Sequence, residues 1–331
     1  MTANRMSKHP LLFLSILSAL LFGISNCTKK DKTDLSPSSS VKQSDQSGSS
    51  AVDAAMDDVN DYINNNIGGG STKNTRLETY NLPCGIIRID TSTIVNGHRA
   101  YRIQYGDSNS CENKKKSGEV SFQLVQGTSF NQAGAIFKIT YKNYVVEIVS
   151  TGDVVTINGD LFITNVSGGY VWQAVTESAT IQHRIRGTFT IQYVNGEIRQ
   201  RQYYQLRTWS STNGWAGLTF SVAGDTTINA VKVSEIGHTL DGNYYFETQI
   251  LTNYTWSNCG NSFVGPYVLQ LGNARMNVTV PGISPAYFNV EAGYRYASTT
   301  GNALKVNDCS SDAYKIDIVI GTSTSTQYQL Y

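Results

Sequence analysis

The chain has 331 residues, with 26 lysines and arginines against 25 acids, and only 15% of its residues are charged. Such a balance argues against a nucleic-acid partner, because domains of that kind carry a strong basic excess. Charge this far below the common fraction of about 25%, together with 29 glycines and 20 tyrosines, favours strands over helices.

At the amino end, Arg5, Lys8 and His9 precede a mostly apolar run from Leu11 to Ile24. That is the layout of a secretory signal, and it is shorter than the about 20 residues needed to span a bilayer. The cleavage region Ile24-Ser25-Asn26-Cys27 resembles the lipobox of bacterial lipoproteins, in which the cysteine is acylated and becomes the first mature residue. Residues 1–26 are therefore read as a signal peptide and Cys27 as a lipid anchor; the alternative is a plain secretory signal cut elsewhere. Acyl chains contribute about 0.8 kcal/mol per buried methylene, and two or three of them hold a protein stably on a membrane. The charged tract Thr28-Lys29-Lys30-Asp31-Lys32 resembles the export signal of lipoproteins that face outward, which implies an outer-membrane, cell-surface location. Cleavage removes Arg5 and Lys8 and no acid, leaving 24 basic and 25 acidic residues, close to neutrality.

Residues 27–50, rich in Ser, Lys, Asp, Gln and Thr, are too polar to bury a core and read as a disordered tether. A flexible coil of that length holds a domain roughly 25 Å from its anchor. In residues 51–75, Val52, Met56, Val59 and Ile63 recur at helical spacing after Ser50, with Asp53 at the capping-box position, which predicts a short helix ending near Gly68-Gly69-Gly70. Asp57, Asp58, Asn60 and Asp61 lack the glycine and terminal glutamate of a calcium loop and read as a solvated face.

From residue 76 to 331 the apolar period becomes two. The segments GEVSFQLVQ, AIFKITYKNYVVEIV, TINGDLFITNV, GTFTIQYVNGEIRQRQYYQLRTW, NYYFETQIL, YVLQL, MNVTV and YKIDIVI have strand length and alternation, with no helical pattern between them. Asn96-Gly97, Asn158-Gly159, Asn195-Gly196 and Asp241-Gly242 are dipeptides suited to tight hairpins, since both residues tolerate positive φ. The expectation is an all-β body, either an antiparallel sandwich or an elongated meander. Recurrent Asn-Gly-x-apolar cassettes raise a β-solenoid, but their spacing is irregular.

Within this region YRIQYGDSNSCENKKKSGEVSFQL (Tyr101–Leu124), RQYYQLRTW and SNCGNSFVGPYVLQL resemble a family of Bacteroidota cell-envelope lipoproteins, over roughly Tyr80 to Ile320. The family's Gly-x-Gly before the first cysteine is replaced by Asp107-Ser108-Asn109-Ser110, and its later Gly-x-Cys-Asp-Asn element by Val306-Asn307-Asp308-Cys309-Ser310. The resemblance implies an envelope location and a β-fold and attaches no activity.

With Cys27 assigned to lipid, Cys84, Cys111, Cys259 and Cys309 form an even set in an oxidising compartment. Pairing Cys84 with Cys111 and Cys259 with Cys309 brackets one β-rich segment each; free buried thiols are the alternative. No zinc spacing, phosphate loop, nucleophile elbow or dinucleotide turn occurs, so no catalytic residue, metal or cofactor is assigned. A surface hydrolase acting on glycans through an unfamiliar pair of carboxylates is kept as a competing class. An accessory subunit of an outer-membrane assembly is kept as a third.

One constellation stands out. A two-residue turn at Asn195-Gly196 pairs Val194 with Glu197 and Arg184 with Arg207, which collects Arg184, Arg186, Arg199, Arg201, Tyr203, Arg207 and Trp209 on one face. That face holds five of the chain's twelve arginines and a single acid, Glu197. Arginine forks bind carboxylate, sulfate or phosphate at two points, and flat aromatic rings stack on sugars. The expectation is a binding or structural interaction module of the cell envelope that contacts anionic glycans here. Its plain alternative is a solvated polar face, or one covered by Asp and Glu from a neighbouring loop.

Overall fold

The computed structural model describes Met56, Val59 and residues 85–95, 97–106, 114–149, 152–239, 243–259, 268–297 and 302–330. The signal, Cys27, the tether, Cys84, Cys111 and the expected turn at Asp241-Gly242 lie outside the described residues, as does most of segment 51–75. Met56 and Val59 are helical, and both are fully buried against the core of the sheet.

Among the described residues seventeen strands form an antiparallel meander. They are β1 (Ile86–Asp90), β2 (Ile94–Val95), β3 (His98–Tyr105), β4 (Lys114–Gln126), β5 (Ile136–Ile148), β6 (Asp153–Asn165), β7 (Ile181–Tyr193), β8 (Ile198–Ser211), β9 (Leu218–Gly224), β10 (Thr226–Ile228), β11 (Val231–His238), β12 (Tyr245–Asn258), β13 (Val268–Val278), β14 (Ala286–Ala297), β15 (Asn302–Lys305), β16 (Ala313–Ile320) and β17 (Ser323–Leu330). From β3 to β8 each strand pairs with the next. Beyond β8 one column is shared: β9 lies against Gln205–Ser211, while β11 lies against Arg201–Tyr203, and both pair on their far side with β12. The sheet continues through β13 and β14 to β16 and β17. Every strand pairing is antiparallel, so the meander reading holds and no solenoid coil forms among the described residues.

Alternation sorts the sheet into two faces. On β5, Phe137, Ile139 and Tyr141 point inward, a bulge at Lys142-Asn143 shifts the phase, and Tyr144, Val146 and Ile148 resume the inward row. The inner face carries two apolar clusters, one from β1 to β8 and one joining β7 to β9 with β12, β14 and β16. The loop after β4 drops Phe130 into the first cluster, where its ring meets Phe137 at 4.7 Å. Buried Asn165 secures that loop by donating to the carbonyls of Phe130 and Gly169, at 2.7 and 2.8 Å, and accepting from the Gly168 N–H at 2.9 Å.

Three expectations need correction. Asn158-Gly159 is no turn: it lies inside β6, where the Asn158 side chain accepts the Asn143 N–H of the facing bulge at 2.8 Å. Gly159 has φ +138°, and a Cβ there would lie 2.6 Å from the Phe189 backbone. The positive-φ tolerance of the dipeptide serves a bulge and a close approach instead of a hairpin. A helix does interrupt the strands: α1 (Val171–Thr176) follows β6 and buries Ala174 and Val175.

The third correction concerns Asn195-Gly196, where the hairpin has a three-residue connection. Tyr193 and Glu197 close it, Gly196 takes φ +83°, and Gln192 faces Ile198. A one-residue change of register moves every β8 side chain to the opposite face relative to β7.

Candidate functional site

The expected seven-residue arginine face is therefore split between the two sides of the sheet. Arg199, Arg201, Tyr203, Arg207 and Trp209 lie on the inner side with Ile181, Ile185 and Phe189; Arg184 and Arg186 lie on the outer side. Arg184 faces Leu206 across the hairpin, not Arg207.

The inner residues form a polar seam within the core. The Arg201 side chain is 0% exposed; its guanidinium donates to Glu235 of β11 at 2.8 Å and to the Tyr193 hydroxyl at 3.3 Å, and lies 4.6 Å from the Phe246 ring centre. Tyr203 stacks on Phe189 at 5.2 Å. Arg207 donates through Nε to the Gln205 amide oxygen at 3.1 Å. Arg199 is tied to Glu197 at 2.7 Å and to the Thr239 carbonyl at 2.9 Å. Trp209 packs edge-on to His183 at 4.9 Å. His183 is fully buried, and neither ring nitrogen has a hydrogen-bond partner among the described residues; burial first, and the nearby Arg207 charge second, push its pKa down to about 3. Arg201, Tyr203, Arg207 and Trp209 are buried between strands, while Arg199 stays half-buried at the hairpin end.

On the outer side the geometry differs. Asp225, in the short connection between β9 and β10, donates its backbone N–H to the Tyr204 carbonyl at 2.8 Å, directly across the hairpin from Arg186. Its carboxylate, 9% exposed, accepts the Nε–H groups of Arg184 at 3.1 Å and Arg186 at 2.6 Å, and its backbone carbonyl accepts Arg186 Nη2 at 3.2 Å. One carboxylate thus holds two guanidinium groups from neighbouring positions on one strand face. The pair keeps one net positive charge, and its side chains remain 42% and 51% exposed. The terminal nitrogens of Arg184 have no partner among the described residues.

Aromatic surface lies beside this pair. Strand register places Lys138, Phe162, Arg186 and Tyr204 in one row across β5 to β8. Phe162 is 39% exposed, and Lys138 pairs with Asp160 at 3.0 Å. Asp225, Phe162 and Lys138 were not singled out from the sequence. Asp225 lies 39 residues beyond Arg186, so only the β8–β9 register brings them together.

Of the expected disulfides, Cys259–Cys309 is formed, with Cα atoms 5.6 Å apart. Among the described residues no cluster of His, Cys, Asp and Glu could hold a metal ion, and no helix is long and apolar enough to cross a membrane. In comparisons with known proteins, no family model, curated protein or solved structure matches the chain, so its fold and its site rest on their own geometry.

Proposed function

We propose that the protein is a cell-envelope binding module, anchored at the outer membrane through acylated Cys27, which contacts anionic glycans by the outer face of β5 to β8. The observation that carries the reading is the pair Arg184 and Arg186, each gripped at Nε by Asp225 and left exposed beyond it. Two fixed guanidinium groups lose little freedom when they meet a sulfate or carboxylate, so the ordering cost of binding falls. Phe162 and Tyr204 give the same face flat surface for a sugar ring.

The test is retention of the purified protein on immobilised heparin and polygalacturonate, eluted by salt. Arg184→Gln with Arg186→Gln keeps amide donors for Asp225 while deleting both charges. The unaltered protein is expected to be retained at low salt and released as salt rises; the double variant is expected to pass through unretained. Absence of retention, or retention that the double variant leaves unchanged, would overturn the reading. The anchor is checked separately: Cys27→Ser is expected to move the protein from the membrane fraction to the soluble one.

A further inference from the structure

At the other end of the meander, β14 to β17 carry a shallow, open cleft of about 490 Å³ lined by Tyr296, Asn302, Lys315, Thr326, Gln327 and Tyr328. That volume falls within the about 300–1,000 Å³ of small-molecule sites. The lining is two phenol rings, two amides, a hydroxyl and an ammonium. Its positive group is already neutralised: Lys315 donates to Asp317 at 2.8 Å, and Asp317 also accepts the Thr326 hydroxyl at 2.7 Å. A strong anion therefore gains little here. A ligand of many hydroxyls and one flat apolar face fits the chemistry, because amides and hydroxyls serve both as donors and as acceptors while tyrosine rings take C–H surface.

The wall is fixed before any ligand arrives. Tyr328 rests against Tyr294, 5.9 Å between ring centres, and Tyr294 donates to Glu291 at 2.9 Å while Lys305 lies 5.8 Å over its ring. The Tyr296 backbone N–H is held by the Asp312 carboxylate at 2.7 Å. The connection between β15 and β16 that carries Asp312 is tied through Cys309 to Cys259 at the end of β12. Because three strands and a disulfide set the spacing of the two phenols, little ordering remains for binding to complete.

We infer that this cleft is a second ligand site, for a neutral mono- or disaccharide unit seated on Tyr296 and Tyr328. It is independent of the arginine face: its residues lie on other strands, and its chemistry selects against charge. The test is saturation-transfer NMR on the full chain with an equimolar mixture of cellobiose, maltose, chitobiose, lactose and mannobiose, followed by titration of the strongest responder. Transfer to ring C–H protons is expected, and Tyr328→Ala is expected to weaken binding roughly five- to tenfold. Gln327→Ala, at an exposed position, is expected to weaken it with an unchanged melting curve, which separates lost contact from lost fold. The Arg184→Gln, Arg186→Gln variant is expected to bind the disaccharide as the unaltered protein does. No transfer to any of the five sugars, or transfer that survives Tyr328→Ala and Gln327→Ala undiminished, overturns the inference. Loss of transfer in the arginine variant alone assigns the sugar to the other face and overturns it equally.

Discussion

Acidification from pH 7 to 4.5 should destabilise the protein through a single imidazole. His183 on β7 is fully buried, with Phe130 from the loop after β4 and Trp209 from β8 edge-on to its ring, Arg207 beside it on β8, and Asn165 opposite on β6 with its amide already committed elsewhere. A second proton would put a cation into this apolar sleeve next to another cation. The folded pKa of about 3 lies below the ordinary 6.5, so between those values the unfolded chain binds more protons than the folded one. Stability is therefore complete above pH 6.5 and is lost as the pH falls toward 3. At roughly 1.4 kcal/mol per unit, the loss from this group is about 1.4 kcal/mol at pH 5.5 and about 2.7 kcal/mol at pH 4.5. Carboxylates titrate in the same window, so the assay is a difference. Urea unfolding of the protein and of His183→Phe is followed by tryptophan fluorescence at pH 7, 5.5 and 4.5. The phenyl ring keeps the edge contacts and cannot titrate. The variant is expected to gain those amounts on the parent as the pH drops. Parallel stability curves, within about 0.5 kcal/mol, or an NMR titration of His183 near pH 6, would refute the reasoning.

Glu235→Ala strips the carboxylate from Arg201, whose side chain is wholly buried, and a loss of about 3–5 kcal/mol is expected in the same unfolding assay. The double variant Arg201→Met with Glu235→Leu, which removes both charges, is expected to recover most of that loss, and failure to recover would mean that the pair's other contacts dominate. For Cys259 and Cys309, 50 residues apart, the chain-entropy estimate is about 4 kcal/mol, so Cys309→Ser is expected to lower the urea midpoint markedly. Under reductant the parent protein and the variant are expected to share one midpoint.

What the sequence made legible follows from where each determinant sits along the chain. Period-two rows such as Phe137, Ile139 and Tyr141 lie within a few residues of each other, so the strands and the all-β class could be read directly. The pairing of Cys259 with Cys309 could be inferred from parity and position. The face of β8 could not be read in this way. Arg199, Arg201, Tyr203, Gln205, Arg207 and Trp209 alternate with Ile198, Gln200, Gln202, Tyr204, Leu206 and Thr208, and neither row is plainly apolar. When both faces mix polar and aromatic groups, pattern leaves register under-specified, and the turn decides it. Here one added turn residue, with Gly196 left-handed, decided it. The partner that makes a buried Arg201 tolerable, Glu235, arrives 34 residues later on β11. The reading that arginines belong outside fails at such a site because burial of a charge depends on a distant counter-charge.

The same contrast is the reason the proposed contact is placed on the outer side. Inside, Arg201 meets Glu235, Tyr193 and the Phe246 ring together, and Asn165 has three partners of its own, so these two side chains are committed to joining strands and loops. Outside, Asp225 takes one Nε–H from each arginine and leaves exposed guanidinium ends, fixed in place by that grip. A carboxylate that immobilises two cations while neutralising only one is a poor way to close a core and a good way to prepare an anion site. Fixed polar groups with spare capacity are what separates a binding face from a solvated one. On that criterion the outer side of β5 to β8 is the face we propose for binding, and the inner arginines maintain the shape that presents it.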